Sequence, residues 1–342
     1  MPLPAELELI DRIRARAAGA RSRNLRLGIG DDCAILRPAA AEELVVTTDL
    51  SIAGRHFRLD WHPPESVGHR TLARGLSDLA AMGARPVAAF LSLGLPRELV
   101  QKQKGRNAAW IDRFLDGFLA LADATATPLA GGDLAESPLF AADIVLIGAV
   151  RRGRALLRSA ARPGDLLYVT GALGAAAAGL ALLAEEAGTS PQAALSSREL
   201  VGDARLRRHL YPEPRLAQGQ ALVRRRLASA ALDISDGLST DLAHLCHESR
   251  VAAEVDAGML PLAPGATLRQ ALHGGEDYEL LFAAPPDSKV PRTIAGVVVT
   301  RIGRILRRHA RRPQMTLLTA QGPQPLQPRG WQHFAPVKKE KR

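Results

Sequence analysis

Short apolar runs and stretches with helical spacing alternate along this chain, and the alternation occurs twice. In the first half, a stripe of Val67, Leu72, Leu76 and Leu79 predicts a helix over residues 66–82. Apolar runs before and after this stripe predict strands, and such an alternation indicates an α/β or α+β unit around one core. The predicted strands lie at 33–36, 44–49, 87–93, 127–130 and 144–150, and a further helix lies at 107–124.

A basic, turn-rich segment separates this unit from a second one. Arg151-Arg152-Gly153-Arg154 and the turn Arg162-Pro163-Gly164-Asp165 mark the boundary. Beyond Arg307 the pattern weakens into a strap that several prolines interrupt. We predict an N-terminal α/β domain over 1–150, a C-terminal α+β domain over 151–310, and a strap with a basic tail over 311–342. The second unit has predicted strands at 166–170, 231–234, 252–255, 278–283 and 297–302, helices at 174–187, 216–227 and 239–248, and an insertion at 188–214.

The composition is that of an ordinary globular protein with an excess of positive charge. The formal net charge is +10, and aromatic residues make up 4% of the chain. A positive surface attracts nucleic acid, but it equally attracts ATP and phosphorylated metabolites. The basic residues form short separate clusters, and few aromatic rings are present for bases to stack on. We therefore expect a solvated basic surface and no nucleic-acid partner.

Signals for membranes and export are weak in the sequence. The longest apolar run, residues 172–184, is shorter than the roughly 20 residues that span a bilayer. The N-terminus is polar and acidic, unlike a signal peptide. Cys33 and Cys246 form no spaced motif, so the sequence predicts neither a zinc site nor a disulfide framework. We expect a cytoplasmic protein without a membrane partner.

Acidic residues beside Gly, Ser or Thr recur at the predicted ends of strands and helices. The sequence contains no Walker loop, no complete dinucleotide fingerprint and no nucleophile elbow. Hard oxygen ligands suit Mg²⁺, which takes one or two protein carboxylates together with phosphate oxygens. Strand ends deliver side chains to a common edge, and glycine lets a ligand approach closely. The sequence therefore predicts a shared Mg²⁺–nucleotide site. The segments concerned are 30–32, 47–49, 131–133 and 233–237, with Asp78 on a helix.

Each of these segments also has a simpler structural interpretation. A single Gly-Asp-Asp is commonly a turn. Asp78 follows Arg74 by four residues, which is the spacing of an exposed helical ion pair. Asp236 could begin and cap the helix that follows it. Asp233 is different, because a carboxylate that ends a buried strand needs a cation or hydrogen-bond donors.

The order of the motifs resembles the thiamine-monophosphate kinases, in the superfamily of aminoimidazole ribonucleotide synthetase and selenophosphate synthetase. The resemblance extends from about residue 25 to residue 334. Two segments are especially specific: Ser77-Asp78-Leu79-Ala80-Ala81-Met82-Gly83-Ala84 and Gly274-Gly275-Glu276-Asp277-Tyr278-Glu279-Leu280. The resemblance implies a two-domain fold in which N-terminal sheets of two subunits pair in a homodimer. It also implies in-line phosphoryl transfer from ATP to thiamine monophosphate with several Mg²⁺ ions.

The resemblance also implies roles for particular residues of this sequence. Its metal ligands fall on Asp31, Thr47, Thr48, Asp49, Asp78, Asp133, Asp233 and Asp236. Its ATP contacts fall on Gly132, Asp133, Arg158 and Ser235. Its thiamine monophosphate contacts fall on His56, Glu276 and Trp331. Asp233, Asp236 and Arg158 would act most directly on the transferred phosphoryl group.

The same residues have plain structural alternatives, and the chain departs from the family in one place. His56 could be a structural histidine, Trp331 a core or strap anchor, and Arg158 a surface charge. The family often carries an ATP-associated tyrosine shortly before the position of Gly117, where this chain has Phe114-Leu115-Asp116.

Two other functions are alternatives to the thiamine-monophosphate kinase hypothesis. One is another ATP-using enzyme of the same superfamily with a different small substrate. The other is a basic nucleic-acid-binding protein, which the acidic series opposes because such a cluster repels phosphates unless it holds metal.

Overall fold

The N-terminal part of the chain is a four-stranded sheet with helices on one face. The computed structural model describes residues 5–17, 19, 22–30, 33–101, 108–189 and 203–332. The strand order is β3-β6-β4-β5, in which β4 and β5 are parallel and the other neighbours antiparallel. The strands are β1 (Leu25–Leu27), β2 (Ile35–Leu36), β3 (Glu42–Ile52), β4 (Arg85–Leu95), β5 (Leu129–Glu136) and β6 (Ala141–Arg151); β1 and β2 form a separate hairpin. The helices are α1 (Ala5–Arg16), α2 (Pro64–Ala81), α3 (Arg97–Val100) and α4 (Trp110–Ala124).

Helices α2 and α4 pack closely against each other and cover one face of this sheet. Their backbones meet at two glycines, since a Cβ at Gly68 would lie 1.9 Å from the Phe114 carbonyl oxygen and one at Gly117 would lie 1.8 Å from that of Glu65. No other residue fits such an approach without moving the helices apart. Helix α2 starts with Pro64 in its first turn, where the missing N–H costs nothing.

The C-terminal part is an eight-stranded, mostly antiparallel sheet. Its main path is β14-β13-β9-β12-β7-β10-β8, and β11 pairs with β12. The strands are β7 (Leu166–Thr170), β8 (Ala230–Asp233), β9 (Val251–Asp256), β10 (Leu280–Ala284), β11 (Thr293–Ile294), β12 (Val297–Arg307), β13 (Met315–Thr319) and β14 (Gly322–Pro325). The helices are α5 (Ala175–Thr189), α6 (Ala204–Leu210), α7 (Leu216–Arg225), α8 (Leu238–Glu248) and α9 (Leu268–His273).

The two-domain α/β and α+β prediction is confirmed, but the end of the chain is more regular than the sequence indicated. Strands β13 and β14 lie within the segment predicted to be a loose strap. β13 pairs in parallel with β9, with Met315 opposite Ala253, and β14 returns beside it. The strap prediction was therefore wrong for 315–325, because the partner strand lies about 60 residues earlier in the sequence.

Helix α2 also joins the two sheets. Ala80 and Ala81 pack into an apolar cluster with Leu222, Leu280 and Phe282 of the C-terminal domain. A Cβ at Gly219 would lie 1.9 Å from the Ala80 carbonyl oxygen, so α7 crosses α2 in close contact. The face of α2 that is not buried in the N-terminal core therefore lies between the domains. None of the helices in the described residues has the length and hydropathy needed to cross a membrane.

Candidate functional site

A polar stripe on helix α2 is the centre of the candidate site. Arg70, Arg74, Ser77 and Asp78 are separated by four, three and one residues, and such spacings place side chains on one side of a helix. Since α2 lies between the domains, this stripe can contact side chains from both. Each of the four has a partner on another element.

Three carboxylates come together along the stripe. Asp78 accepts a short hydrogen bond from the hydroxyl of Thr47 on β3. The Arg74 guanidinium contacts Asp49 Oδ1, also on β3, at 2.7 Å. The Ser77 hydroxyl donates to Asp233 Oδ2, at the end of β8, at 2.7 Å. The alternative of an Arg74–Asp78 ion pair is therefore not what holds Arg74, because its guanidinium pairs with Asp49.

The carboxylates repel one another in a setting with little solvent. Asp233 is 2% exposed, and burial together with the charge of Asp78 raises its pKa to about 7. Burial also raises the pKa of Asp49 and of Asp78 above their usual values. The positive charge of Arg158 opposes the rise at both Asp78 and Asp233. Arg158 begins a short 3₁₀ turn beside β8, and its side chain is exposed.

The loop after Asp233 is held by its backbone. Asp241 on α8 accepts the N–H groups of Asp236 and Gly237 at 3.1 and 3.0 Å. Burial and the charges of Asp233 and Asp236 raise the pKa of Asp241 to about 8. Asp233 ends its strand as predicted, but Asp236 does not begin the next helix: α8 starts at Leu238 with Gly237 as its N-cap.

Two other segments dock onto this loop. The N–H of Glu276 donates to the Ser235 carbonyl oxygen at 2.7 Å, and the N–H of Trp331 donates to that of Asp236 at 2.9 Å. A Cβ at Gly330 would lie 2.0 Å from the Asp236 carbonyl oxygen, so only glycine allows the second approach. Glu276 and Trp331 therefore lie beside Ser235 and Asp236.

The third predicted substrate residue comes from the N-terminal domain. His56 follows β3, and its Nδ1 accepts the N–H of Ile52 at 3.0 Å. The neighbouring Arg55 guanidinium carbon lies 5.3 Å from the centre of the Trp331 ring, within the range of a cation–π contact. The His56 carbonyl oxygen is 3.4 Å from Arg70 Nη2, which also contacts Glu276 Oε1 at 2.6 Å. His56, Glu276 and Trp331 thus border one side of the site.

Some predicted site residues lie elsewhere. Strand alternation places the Thr48 side chain on the opposite face from those of Thr47 and Asp49, so only its backbone can face the cluster. In the sheet register, Asp49 lies opposite Ile144, which lies opposite Leu91, which lies opposite Gly132. Gly132 and Asp133 are therefore three strands away, a lateral distance of about 14 Å. Asp133 is exposed, and its carboxylate accepts the N–H of Leu134.

Two further predictions from the sequence concern Asp31 and the segment before Gly117. Asp31 lies outside the described residues. Phe114 and Leu115, where the family often has an ATP-associated tyrosine nearby, are fully buried in the N-terminal core. Neither side chain can contact a nucleotide from that position.

The oxygen atoms at this site are suited to a hydrated cation whose coordination shell is completed by phosphate oxygens. In the described part of the chain, no three His, Cys, Asp or Glu side chains are grouped closely enough to hold a metal ion alone. The charge of Asp78 nevertheless raises the pKa of both Asp49 and Asp233, and Asp49 raises that of Asp233 further. A divalent cation would relieve this repulsion. Mg²⁺ commonly uses one or two carboxylates and keeps several water or phosphate ligands. The residues present therefore fit Mg²⁺ carried with a polyphosphate.

Sequence reasoning missed the residues that orient the predicted ones. Ser77, Arg70 and Asp241 bind Asp233, Glu276 and the loop at 236–237 respectively. For Ser77 and Arg70, the available signal was the helical spacing of polar residues from 70 to 78 on a helix most of whose residues are buried.

Comparison with known proteins matches both domains and nearly the whole chain. Residues 30–155 match the AIR synthase related protein N-terminal domain, and residues 162–314 match the corresponding C-terminal domain. The thiamine-monophosphate kinase of Escherichia coli K12 is 40% identical over 317 residues, 88% of this chain and 90% of that protein.

Solved structures agree with this match. The thiamine-monophosphate kinase of Stenotrophomonas maltophilia K279a is 40% identical with a TM-score of 0.73, covering 88% of this chain and 94% of that one. AaThiL in complex with AMPPCP and TMP is 29% identical with a TM-score of 0.72, covering 98% and 99%. The chain is a kinase, and it belongs to the thiamine-monophosphate kinase family of AIR synthase related proteins.

Proposed function

We propose that this kinase transfers the γ-phosphoryl group of Mg-ATP directly to the phosphate of thiamine monophosphate, giving thiamine diphosphate and ADP. One observation carries the proposal: Asp49, Asp78 and Asp233 meet at residues 74–78 of the α2 stripe, and Glu276 contacts Arg70 one turn earlier on the same stripe. The proposed site for polyphosphate and metal would thus adjoin the proposed site for the second substrate. The ligands bound to AaThiL, AMPPCP and TMP, are a nucleotide and an acceptor of this kind.

The carboxylate cluster would hold the metal. We assign Asp49, Asp78, Asp233 and Asp236, with Thr47 and the backbone of Thr48, to Mg²⁺, and extend this to Asp31 by family resemblance. When bound, Mg²⁺ would neutralise charge on the polyphosphate. Ser77 and Arg74 would keep Asp233 and Asp49 in place while the metal is absent.

The reaction itself needs little covalent participation by the protein. An oxygen of the acceptor phosphate forms a bond to the γ-phosphorus, the bond from that phosphorus to the β-bridging oxygen breaks, and ADP leaves with the electron pair. Positioning and electrostatic stabilisation dominate such transfers. Arg158, whose charge already acts on Asp78 and Asp233, would stabilise the transferred group together with Asp233 and Asp236.

The two substrates would meet at the cluster, where Ser235 and Glu276 are neighbours. Ser235 and Arg158, with Gly132 and Asp133 at the far strand edge, are assigned to ATP, since an extended nucleotide can reach across several strands. His56, Glu276 and Trp331 are assigned to thiamine monophosphate, with the indole against a ring of the substrate. A negative Glu276 suits the cationic thiazolium ring.

A homodimer, in the cytoplasm, completes the proposal. β3 is an edge strand, and Leu44, Val46 and Leu50 on one of its faces are 40%, 61% and 48% exposed. Such an edge invites pairing with another strand. A second copy of the same sheet would cover these residues.

An acceptor assay tests the function. The protein is mixed with Mg-ATP and either thiamine monophosphate or thiamine, and products are separated by chromatography. We expect one thiamine diphosphate per ADP from the monophosphate and no product from thiamine. Equal turnover of both acceptors, or ADP without thiamine diphosphate, would refute the assignment.

A further inference from the structure

A buried ion pair links helix α2 to Glu276, outside the carboxylate cluster. Arg70 Nη2 lies 2.6 Å from Glu276 Oε1. The Arg70 side chain is only 5% exposed, whereas that of Glu276 is 26% exposed. The ion pair therefore has a buried cation in the N-terminal domain and a carboxylate in the C-terminal domain that still reaches solvent.

Arg70 is itself held by two backbone carbonyl oxygens. Its Nη1 donates a short hydrogen bond to the His209 carbonyl oxygen, and its Nη2 lies 3.4 Å from that of His56. The planar guanidinium presents its donors in a fixed geometry. It thus ties α2, the end of α6, the loop at 56 and the loop at 276 together through one side chain.

Two neutral histidines lie behind this ion pair. His209 Nε2 is 3.1 Å from His62 Nε2, and both rings are buried. Burial, followed by the charge of Arg70, lowers the pKa of His62 to about 3 and that of His209 well below its ordinary value. The rings must therefore share one proton between the two Nε2 atoms. His209 Nδ1 lies 3.4 Å from Arg70 Nη1 and 3.6 Å from Glu276 Oε2, so this ring contacts both members of the ion pair without adding a competing charge.

The backbone at Glu276 also needs support. Its φ is +68°, in the left-handed region that residues other than glycine rarely adopt. Tyr278 has a φ of +50°, so the strain occurs twice within three residues. The backbone hydrogen bond to Ser235 and the side-chain contact to Arg70 oppose relaxation of this loop.

We infer that Arg70 is a positioning residue for the acceptor side of the site: it fixes the Glu276 carboxylate and its loop against Ser235. This inference rests on the proposed function, in which Glu276 binds thiamine monophosphate. Although burial opposes ionisation, the Arg70 charge and hydrogen bond lower the pKa of Glu276. The carboxylate is therefore held ionised as well as oriented, which suits a cationic, amino-substituted ring system.

Kinetics of full-length variants test this role. Arg70→Met should raise KM for thiamine monophosphate by at least about tenfold, the scale of a lost charged hydrogen bond. KM for ATP should stay within about twofold, because in the described part of the chain none of the hydrogen bonds and ion pairs of Arg70 involves Asp49, Asp78 or Asp233. Arg70→Lys keeps the positive charge but lacks the planar guanidinium, and should therefore raise KM for thiamine monophosphate less than Arg70→Met does.

A control variant is available at another ion pair of helix α2. Arg113 on α4 contacts Glu65 on α2 through two hydrogen bonds of 2.7 and 2.9 Å. Arg113→Met removes an arginine–glutamate ion pair of similar length but greater exposure, away from the site, and should leave both KM values unchanged. An equal rise in both KM values for Arg70→Met would overturn the positioning role.

Two further measurements keep the inference testable if Arg70→Met folds poorly or if the proposed function is wrong. Arg70→Met/Glu276→Gln leaves no unpaired charge, and should bind thiamine monophosphate as weakly as Glu276→Gln alone, since the inference assigns the effect of Arg70 on the acceptor to that carboxylate and not to its contact with the His56 carbonyl oxygen. An additional loss in the double variant would overturn the inference.

Amide hydrogen exchange needs no substrate: the Glu276 N–H should exchange at least about tenfold faster in Arg70→Lys than in wild type. Unchanged exchange would reject the positioning role, even if the acceptor proves to be another molecule.

Discussion

The Ser77 hydroxyl donates a hydrogen bond of 2.7 Å to the Asp233 carboxylate, across the boundary between the two domains. Ser77 is on α2, Asp233 is the last residue of β8, and both are buried. This bond stabilises a carboxylate whose pKa burial and Asp78 raise to about 7. It therefore connects domain packing with the charge state of the proposed metal site.

Removing this hydroxyl should impair the site more than the fold. We expect Ser77→Ala to lower metal affinity or turnover by about tenfold, as for other groups that orient metal ligands. Its stability should fall by only about 1 kcal/mol. Ser66→Ala is the matched control, because Ser66 is equally buried on α2 and donates to the Pro63 carbonyl oxygen. Kinetics with varied Mg²⁺ and thermal melts separate the two effects, and equal activity of both variants would contradict this role.

The neutral histidine pair predicts a loss of stability in acid. Both His62 and His209 have lowered pKa values in the folded protein, so below about pH 6.5 the unfolded chain binds more protons. Each histidine then removes up to about 1.4 kcal/mol per pH unit. Burial raises the pKa of Asp277 to about 7, and this acts in the opposite direction as the pH falls. The test is therefore a difference: between pH 7.5 and 5.0, His209→Gln should lose less stability in urea unfolding than wild type.

Trp331 should affect one substrate and not the other. We expect Trp331→Ala to weaken thiamine monophosphate binding by about 1–3 kcal/mol, the scale of base–aromatic stacking, with little change for ATP. Trp61→Ala is a suitable control, because the Arg58 guanidinium lies 4.4 Å from its ring centre in a similar cation–π pair. Calorimetric titration with each ligand gives the answer. An equal loss of affinity for both ligands would indicate that Trp331 has only a structural role as an anchor of the C-terminal strap.

The exposed face of β3 predicts the oligomeric state. Light scattering should give twice 36.5 kDa for wild type at micromolar concentration, and a lower mass for Val46→Asp. Val298→Asp is the control, since Val298 is 58% exposed, close to the 61% of Val46, but lies in the C-terminal sheet. A monomeric wild type would remove the dimer from the proposal.

The sequence predicted those elements whose pattern is local. The helix expected at 66–82 is found at Pro64–Ala81, since its apolar stripe is complete within the segment. Strand β13 was not predicted, because its pairing with β9 depends on a partner distant in sequence. Local patterns carry no information about such pairing.

The same limit applied to the site. Asp233 was identified because a carboxylate at the end of an apolar strand is unusual, and it does end a buried strand. The spacing of Arg74 and Asp78 also allowed a helical ion pair, but Arg74 contacts Asp49 from another element. Arg70 resembled any polar position on a helix, because its partner Glu276 is 206 residues away.

Asp236 gives the most direct test of the central claim that the cluster on α2 is the phosphoryl-transfer site. Asp236→Asn keeps the shape of the side chain and removes one charge, so turnover at limiting Mg²⁺ should fall by at least about a hundredfold. Added Mg²⁺ should restore part of the activity, and stability without metal should hold or rise. Asp256→Asn is the control, since Asp256 caps a short turn by accepting the Gly258 N–H. Thiamine diphosphate formation by Asp236→Asn at the wild-type rate under limiting Mg²⁺ would contradict the assignment of this cluster.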